Sequence, residues 1–131
     1  MIEWSESFSV NNQGIDEQHK KLIGIIEEFV YLIKNKDFSF TNLSQILNEL
    51  DNYVEEHFKY EEALMKKYSY LEAENHISEH NKLRVKIEEI NIFDMENTVE
   101  FYQNMLAYLV DWLSKHIMHT DKKLGLFLNN L

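Results

Sequence analysis

The turn-forming residues of the chain restrict its fold more than any other feature. Its 131 residues include no proline and only three glycines, Gly14, Gly24 and Gly125. The turns of β-sandwiches and barrels, and the loops that bind phosphate, depend on these two residue types. Eight Phe, seven Tyr and two Trp among 44% hydrophobic residues are enough to fill one core. We therefore expect an all-α protein in which residues 1–131 form one domain.

Apolar residues recur at three- and four-residue steps in four segments, which is the spacing of amphipathic helices. After an N-terminal arm, the first helix is predicted over 16–36 and the second over 41–67. A third has an apolar stripe over 77–90, and a fourth follows over 102–117, with further turns in 122–131. Because short polar links join the helices, the sequence predicts an antiparallel up-down-up-down four-helix bundle with a short C-terminal helix.

The charge balance and the absence of cysteine exclude several functions. The net charge of −10 opposes binding to nucleic acid and discourages self-association, so we expect a monomer. Without cysteine, any metal must take nitrogen and oxygen ligands. The acidic N-terminus and the absence of a long apolar run predict neither a signal peptide nor a membrane segment. We expect a cytoplasmic protein.

Ionisable side chains fall on the apolar stripe of every predicted helix. These residues are His19, His57, Glu61, His76, His80 and His116. A buried imidazole or carboxylate costs several kcal/mol unless it is paired or binds a cation. Residues four positions apart share a helix face, so two of the helices each offer two ligand atoms. Ordinary core packing explains a single buried histidine, whereas a common metal site explains the whole set.

Asp121 can lie beside these residues only where the backbone departs from a regular α-helix. It lies five residues after His116, about 140° round an ideal helix. We therefore expect a helix end or a π-type turn over 117–120, a feature that is frequent at functional sites. His119 fits the stripe less well and is interpreted as a surface residue or as one that contacts the ligands.

In their order along the chain, these residues resemble the motifs of the hemerythrin family, in particular of its single-domain bacterial members. The matching segments are Gly14-Ile15-Asp16-Glu17-Gln18-His19, His57-Phe58-x-x-Glu61-Glu62, His76-x-x-x-His80 and His116-x-x-x-x-Asp121, with Trp4 near the N-terminus. Each motif alone is weak. The ordered set covers almost the whole chain and is specific.

The resemblance implies a non-haem di-iron centre with an oxo or hydroxo bridge. By position, the ligands of one iron would be His76, His80 and His116, those of the other His19 and His57, and the shared ligands Glu61 and Asp121. The second iron is then one ligand short, which implies reversible binding of dioxygen there. The walls of the oxygen pocket would be Leu22, Phe58, Trp112, Leu113 and Ile117. The implied role is to carry, store or deliver oxygen, including to an oxygen-consuming enzyme, without being an enzyme itself.

The chemistry of the ligand set agrees with this implication. Imidazole and carboxylate suit iron, and bridging carboxylates can hold two metals about 3.5–4 Å apart. Negative ligands help to stabilise the strongly oxidised iron that breaks the O–O bond. A set with five neutral imidazoles and two carboxylates therefore favours reversible binding.

Three alternatives stay open. The first is a di-iron oxidase or peroxidase, or a sensor of oxygen or nitric oxide, on the same scaffold. The second is a zinc peptidase, because residues 76–80 have the His-x-x-Glu-His form; we disfavour it, since we interpret Glu79 as facing solvent. The third is a metal-free bundle, which would be fully stable without any ion.

Overall fold

The computed structural model describes residues 4–89 and 98–131, and within these ranges every regular element is helical. A 3-10 turn at Glu6–Phe8 is followed by α1 (Gln13–Lys34), α2 (Phe40–Lys67), α3 (Ala73–Glu88), α4 (Thr98–Trp112), a π-helical segment (Leu113–Asp121) and α5 (Lys122–Asn129). Helix α1 packs against α2 and α4, and α2 packs against α3. The predicted all-α bundle is confirmed, while its antiparallel order stays a prediction.

The ends of the helices differ slightly from the sequence-based prediction. Helix α1 begins at Gln13 rather than at residue 16, because the side chain of Asn12 accepts a hydrogen bond from the backbone N–H of Ile15 at 3.0 Å. The C-terminal helix continues directly from the π-helical segment. Residue 90 of the predicted third stripe and the polar link 91–97 lie outside the described residues. None of the described helices is both long and apolar enough to span a membrane.

A polar layer divides the core into two apolar clusters. The smaller cluster consists of Val10, Ile15, Met65 and Leu124. Along α1, His19 lies between Ile15 of this cluster and Leu22 of the larger one. Along α2, Glu61 lies between Met65 and Phe58 in the same way. The ionisable residues are thus enclosed by apolar side chains above and below.

The N-terminal arm covers the bundle near this layer. The backbone N–H of Val10 donates to Oδ1 of Asp16 at 2.9 Å, and the hydroxyl of Ser9 donates to Oδ2 of the same residue at 2.6 Å. A Cβ atom at Gly125 would collide with the carbonyl oxygen of Val10. Glycine at this position therefore lets the arm pack closely against α5.

Candidate metal centre

Five imidazoles and two carboxylates form the buried polar layer, and the structure brings all seven predicted site residues together. Each is at most 1% exposed: His19, His57, Glu61, His76, His80, His116 and Asp121. One group of potential ligand atoms, which lie within 4.8 Å of one another, comes from Glu61, His76, His80, His116 and Asp121. A second group, with the same limit, comes from His19, His57 and the same two carboxylates. The two groups share both carboxylates.

The π-helical segment carries Asp121 into this layer. Its Oδ1 lies 3.0 Å from Nε2 of His116, five residues earlier, and its Oδ2 lies 2.8 Å from Nε2 of His19. A π-helix pairs residues i and i+5, so this spacing places both side chains on one face. The predicted π-type turn is confirmed, although the π-helical segment is longer than expected and spans Leu113–Asp121.

Several inward-facing atoms of the layer lack a hydrogen-bond partner. Nε2 of His57 lies 3.1 Å from Oε1 of Glu61, and Nε2 of His116 lies 3.0 Å from Oδ1 of Asp121, yet neither nitrogen forms a hydrogen bond. Oε2 of Glu61 and Oδ1 of Asp121 are also buried without one. Each such atom costs about 1–3 kcal/mol. A shared cation would satisfy them together, so the residues fit a metal.

The pKa shifts within the layer also indicate that it favours a bound positive charge. Burial opposes protonation of His57 and His76, but Glu61 and Asp121 outweigh it, raising the pKa of His57 to about 10 and that of His76 to about 9. Burial prevails at His80, and its pKa is lowered. Burial also opposes ionisation of Asp121, yet the neighbouring imidazoles hold its pKa well below the usual value. Without a cation, the carboxylates therefore draw protons onto imidazoles.

The outward Nδ1 atoms of three imidazoles have side-chain acceptors that sequence reasoning missed. The pairs are His57 with Gln18 at 2.7 Å, His80 with Glu62 at 2.8 Å, and His116 with Glu79 at 3.1 Å. In a neutral imidazole that binds a metal, an acceptor at Nδ1 selects the tautomer whose Nε2 lone pair points into the layer. Gln18 and Glu62 each adjoin a predicted ligand in the sequence, which was the only available signal for them. Their partners lie on other helices.

The interpretation of Glu79 as facing solvent is wrong. Its side chain is half-buried, and its Oε1 accepts a hydrogen bond from Thr120 at 2.9 Å in addition to its contact with His116. The prediction failed because position 79 lies off the apolar stripe of α3 and its partners come from the π-helical segment. The carboxylate thus supports an imidazole of the layer. His119, in contrast, is exposed.

Tyr53 also adjoins the layer and was not predicted. It lies one helical turn before His57, and the two rings stack with centroids 5.3 Å apart and planes at 13°. Its hydroxyl is buried without a hydrogen-bond partner. Its position on the apolar stripe of α2 was a signal for burial, but not for this contact.

The five predicted pocket residues all belong to the larger apolar cluster. They are Leu22, Phe58, Trp112, Leu113 and Ile117. The ring of Phe58 stacks on His80 at 3.8 Å between centroids, and Trp112 stacks on His116 at 4.1 Å. An apolar wall therefore borders the polar layer, while its role towards oxygen stays a prediction.

Comparison with known proteins relates the whole chain to one family. Residues 11–127 match the family model described as the hemerythrin HHE cation binding domain. A bacteriohemerythrin of Clostridium acetobutylicum is 30% identical over 126 residues, which are 94% of this chain and 98% of that protein. One of Methylococcus capsulatus is 31% identical over 130 residues, 95% of each chain. A myohemerythrin of Theromyzon tessulatum is 29% identical over 122 residues, 92% of this chain and 88% of that one.

The family model spans nearly the entire chain and includes every residue of the buried layer. The resemblance stated from the sequence motifs is therefore confirmed, and the chain belongs to the hemerythrin family.

Proposed function

We propose that this protein binds dioxygen reversibly at a non-haem di-iron centre. The observation that carries the proposal is the pair of overlapping ligand groups, which share Glu61 and Asp121. Each group has its own histidines and both use the same two carboxylates, as two bridged metal ions require. The cation-binding description of the family model supports a metal at this position.

The two groups would hold iron unequally. The three-histidine end comprises His76, His80 and His116, and the two-histidine end comprises His19 and His57. The shared carboxylates would contact both ions. The ion at the two-histidine end has one protein ligand fewer, so we assign the exchangeable position to it. When bound as Fe(II), the pair supplies the electrons and the coordination position that dioxygen requires.

The surrounding residues would keep the binding reversible. Five neutral imidazoles and only two carboxylates provide little negative charge, which disfavours strongly oxidised iron. The apolar wall, which includes Phe58 and Trp112, excludes bulk water and small anions from the buried layer. We infer that the protein carries, stores or delivers oxygen, for example to an oxygen-consuming enzyme, and is not itself an enzyme.

The deciding experiment is an iron analysis combined with visible spectroscopy. We expect about two irons per chain and an absorption band that appears in air and vanishes under nitrogen over repeated cycles. His57→Ala should abolish the band, whereas His119→Ala, a change at an exposed histidine, should leave it intact. Direct conversion to a stable oxidised form without the band would favour an oxidase. A protein that binds zinc or no metal would contradict the proposal.

We further propose that residues 1–131 form one oxygen-binding domain that is monomeric in solution. The match over residues 11–127 supports the first point, and the net charge of −10 supports the second. Sedimentation should give a mass near 15.8 kDa. A stable dimer would contradict the monomer.

A further inference from the structure

Arg84, the only arginine of the chain, contacts two residues that in turn contact His80. Its Nη1 and Nη2 donate to Oε2 and Oε1 of Glu62 at 2.9 and 3.2 Å. The Cζ atom of the same guanidinium lies 4.9 Å from the ring centroid of Phe58. Nη1 also donates to Asn81 at 2.9 Å, one turn earlier on α3. The guanidinium of Arg84 therefore contacts the carboxylate of Glu62 and the ring of Phe58 at the same time.

Both of these partners constrain the imidazole of His80. Oε2 of Glu62 accepts from its Nδ1 at 2.8 Å, which sets the direction of the outward N–H. The ring of Phe58 lies parallel to it, with centroids 3.8 Å apart and planes at 5°, which sets the plane of the ring. Direction and plane together determine where Nε2 points.

Among the described residues, no cation binds the acceptors of the other imidazoles in this way. Glu79, the acceptor for His116, accepts a hydrogen bond from the hydroxyl of Thr120 and not from a cationic side chain. The acceptor for His57 is the neutral amide of Gln18. A guanidinium fixes both oxygens of a carboxylate in one plane, which a lysine ammonium does not.

We propose that Arg84 is a positioning residue for His80. It binds Glu62 in a bidentate manner and packs on Phe58, so that Nδ1 of His80 points to Glu62 and Nε2 points to Glu61. The significance of this arrangement rests on the proposed function, in which His80 is an iron ligand. Arg84 acts through Glu62 and through Phe58, which is one of the predicted pocket residues.

The first test uses metal-free protein and NMR, which detects close contacts between the ring protons of His80 and Phe58. We expect these contacts in the wild-type protein, where the two rings stack 3.8 Å apart, weaker contacts in Arg84→Gln, and partial recovery in Arg84→Lys. The matched control is Lys21→Gln, which breaks an exposed 3.0 Å ion pair with Glu56 on another face and should change nothing. Unchanged contacts between the rings of His80 and Phe58 in Arg84→Gln would overturn the proposal.

The second test measures release of iron from loaded protein to a chelator. Removing a hydrogen-bonding partner of a metal-bound histidine typically weakens metal binding about 10–100-fold, so we expect Arg84→Gln to accelerate release roughly tenfold and Arg84→Lys to do so less. In a Glu62→Ala background, Arg84→Gln should add much less. Full additivity of the two changes would contradict the role through Glu62. If the wild-type protein takes up no iron, the proposed function fails alone, because the NMR measurement of the His80 ring still decides the role of Arg84.

Discussion

The two ends of the candidate centre are supported by different chemistry. At the three-histidine end, two of the three imidazoles have a carboxylate acceptor at Nδ1, Glu62 for His80 and Glu79 for His116, whereas Nδ1 of His76 is buried without a hydrogen-bond partner. Aromatic rings also stack closely on both of these imidazoles. At the two-histidine end, the acceptor for His57 is a neutral amide, and Nδ1 of His19 is buried without a hydrogen-bond partner.

This difference shows how one layer of similar ligands can hold two ions unequally. A carboxylate that accepts a hydrogen bond from an imidazole makes its other nitrogen a stronger donor than an amide does. The three-histidine end therefore offers more histidines, two of which have carboxylate acceptors that strengthen them as donors. The two-histidine end has fewer and weaker ones, which is suited to an ion that must exchange a small molecule.

We expect the largest effect on iron content when a carboxylate shared by both ligand groups is compared with a histidine that belongs to only one group. Glu61→Gln removes a carboxylate common to both groups, so we expect both irons to be lost. His57→Gln affects only the two-histidine end and should leave about one iron per chain. Iron analysis of the purified variants measures this, with His119→Gln as the control. Equal iron loss in the Glu61 and His57 variants would break the distinction between the ends.

The stability of metal-free protein should fall by several kcal/mol as pH rises from about 6.5 to 10. The folded-state pKa of His57 is raised to about 10 and that of His76 to about 9. A raised histidine pKa stabilises the fold fully below its unfolded value of about 6.5 and loses that stabilisation as pH rises through the folded value. Urea unfolding at intervals of pH measures the slope.

Variants assign this slope to individual imidazoles. His57→Gln should remove much of it, whereas His80→Gln should not, since the pKa of His80 is lowered by burial. Iron-loaded protein should lack the slope, because its imidazoles bind as neutral ligands. A metal-free protein whose stability is constant over this range would contradict the charge balance described for the layer.

Gln18 and Glu79, which accept hydrogen bonds from Nδ1 of His57 and His116, should each affect the binding of a different iron. Chelation of loaded protein is expected to proceed in two phases, with the iron of the two-histidine end leaving first. Gln18→Ala should accelerate the fast phase and Glu79→Ala the slow phase, each roughly tenfold. Stopped-flow absorbance with a coloured chelator follows both phases. If either variant accelerates both phases equally, the two ends do not hold iron independently.

The smallest effect concerns two tyrosines, one beside the centre and one remote from it. The hydroxyl of Tyr53 is buried without a partner, so Tyr53→Phe should stabilise metal-free protein by about 1 kcal/mol. The hydroxyl of Tyr102 donates to the carbonyl of Ser39 at 3.2 Å, so Tyr102→Phe should destabilise it by a similar amount. Opposite signs in urea unfolding are the expected result. A loss of stability in both variants would show that Tyr53 has a partner.

Much of the fold and of the layer was predictable from residue spacing. The apolar periodicity predicted the helices of the bundle, because an amphipathic helix buries a stripe that recurs at 3.6 residues. The same periodicity placed His19, His57 and Glu61 inward, as found. The five-residue step from His116 to Asp121 predicted a π-type turn, since no regular α-helix aligns those positions.

The supporting contacts were not predictable, and the error at Glu79 shows why. Its position on α3 identifies a residue off the buried stripe, which in isolation faces solvent. Its actual partners, His116 and Thr120, lie about forty positions away and approach only when the π-helical segment packs beside α3. The same holds for Gln18, whose partner His57 lies on the neighbouring helix.

The sequence by itself determined which side chains enter the core, because helical periodicity is a local property of the backbone. It also indicated that an enclosed set of imidazoles and carboxylates could hold a cation. Tertiary structure alone decided which carboxylate or amide supports which imidazole, and therefore how the two ends differ. Those contacts depend on the rotation and offset of packed helices. Shifts of this kind change every partner across an interface without changing the pattern along any one helix.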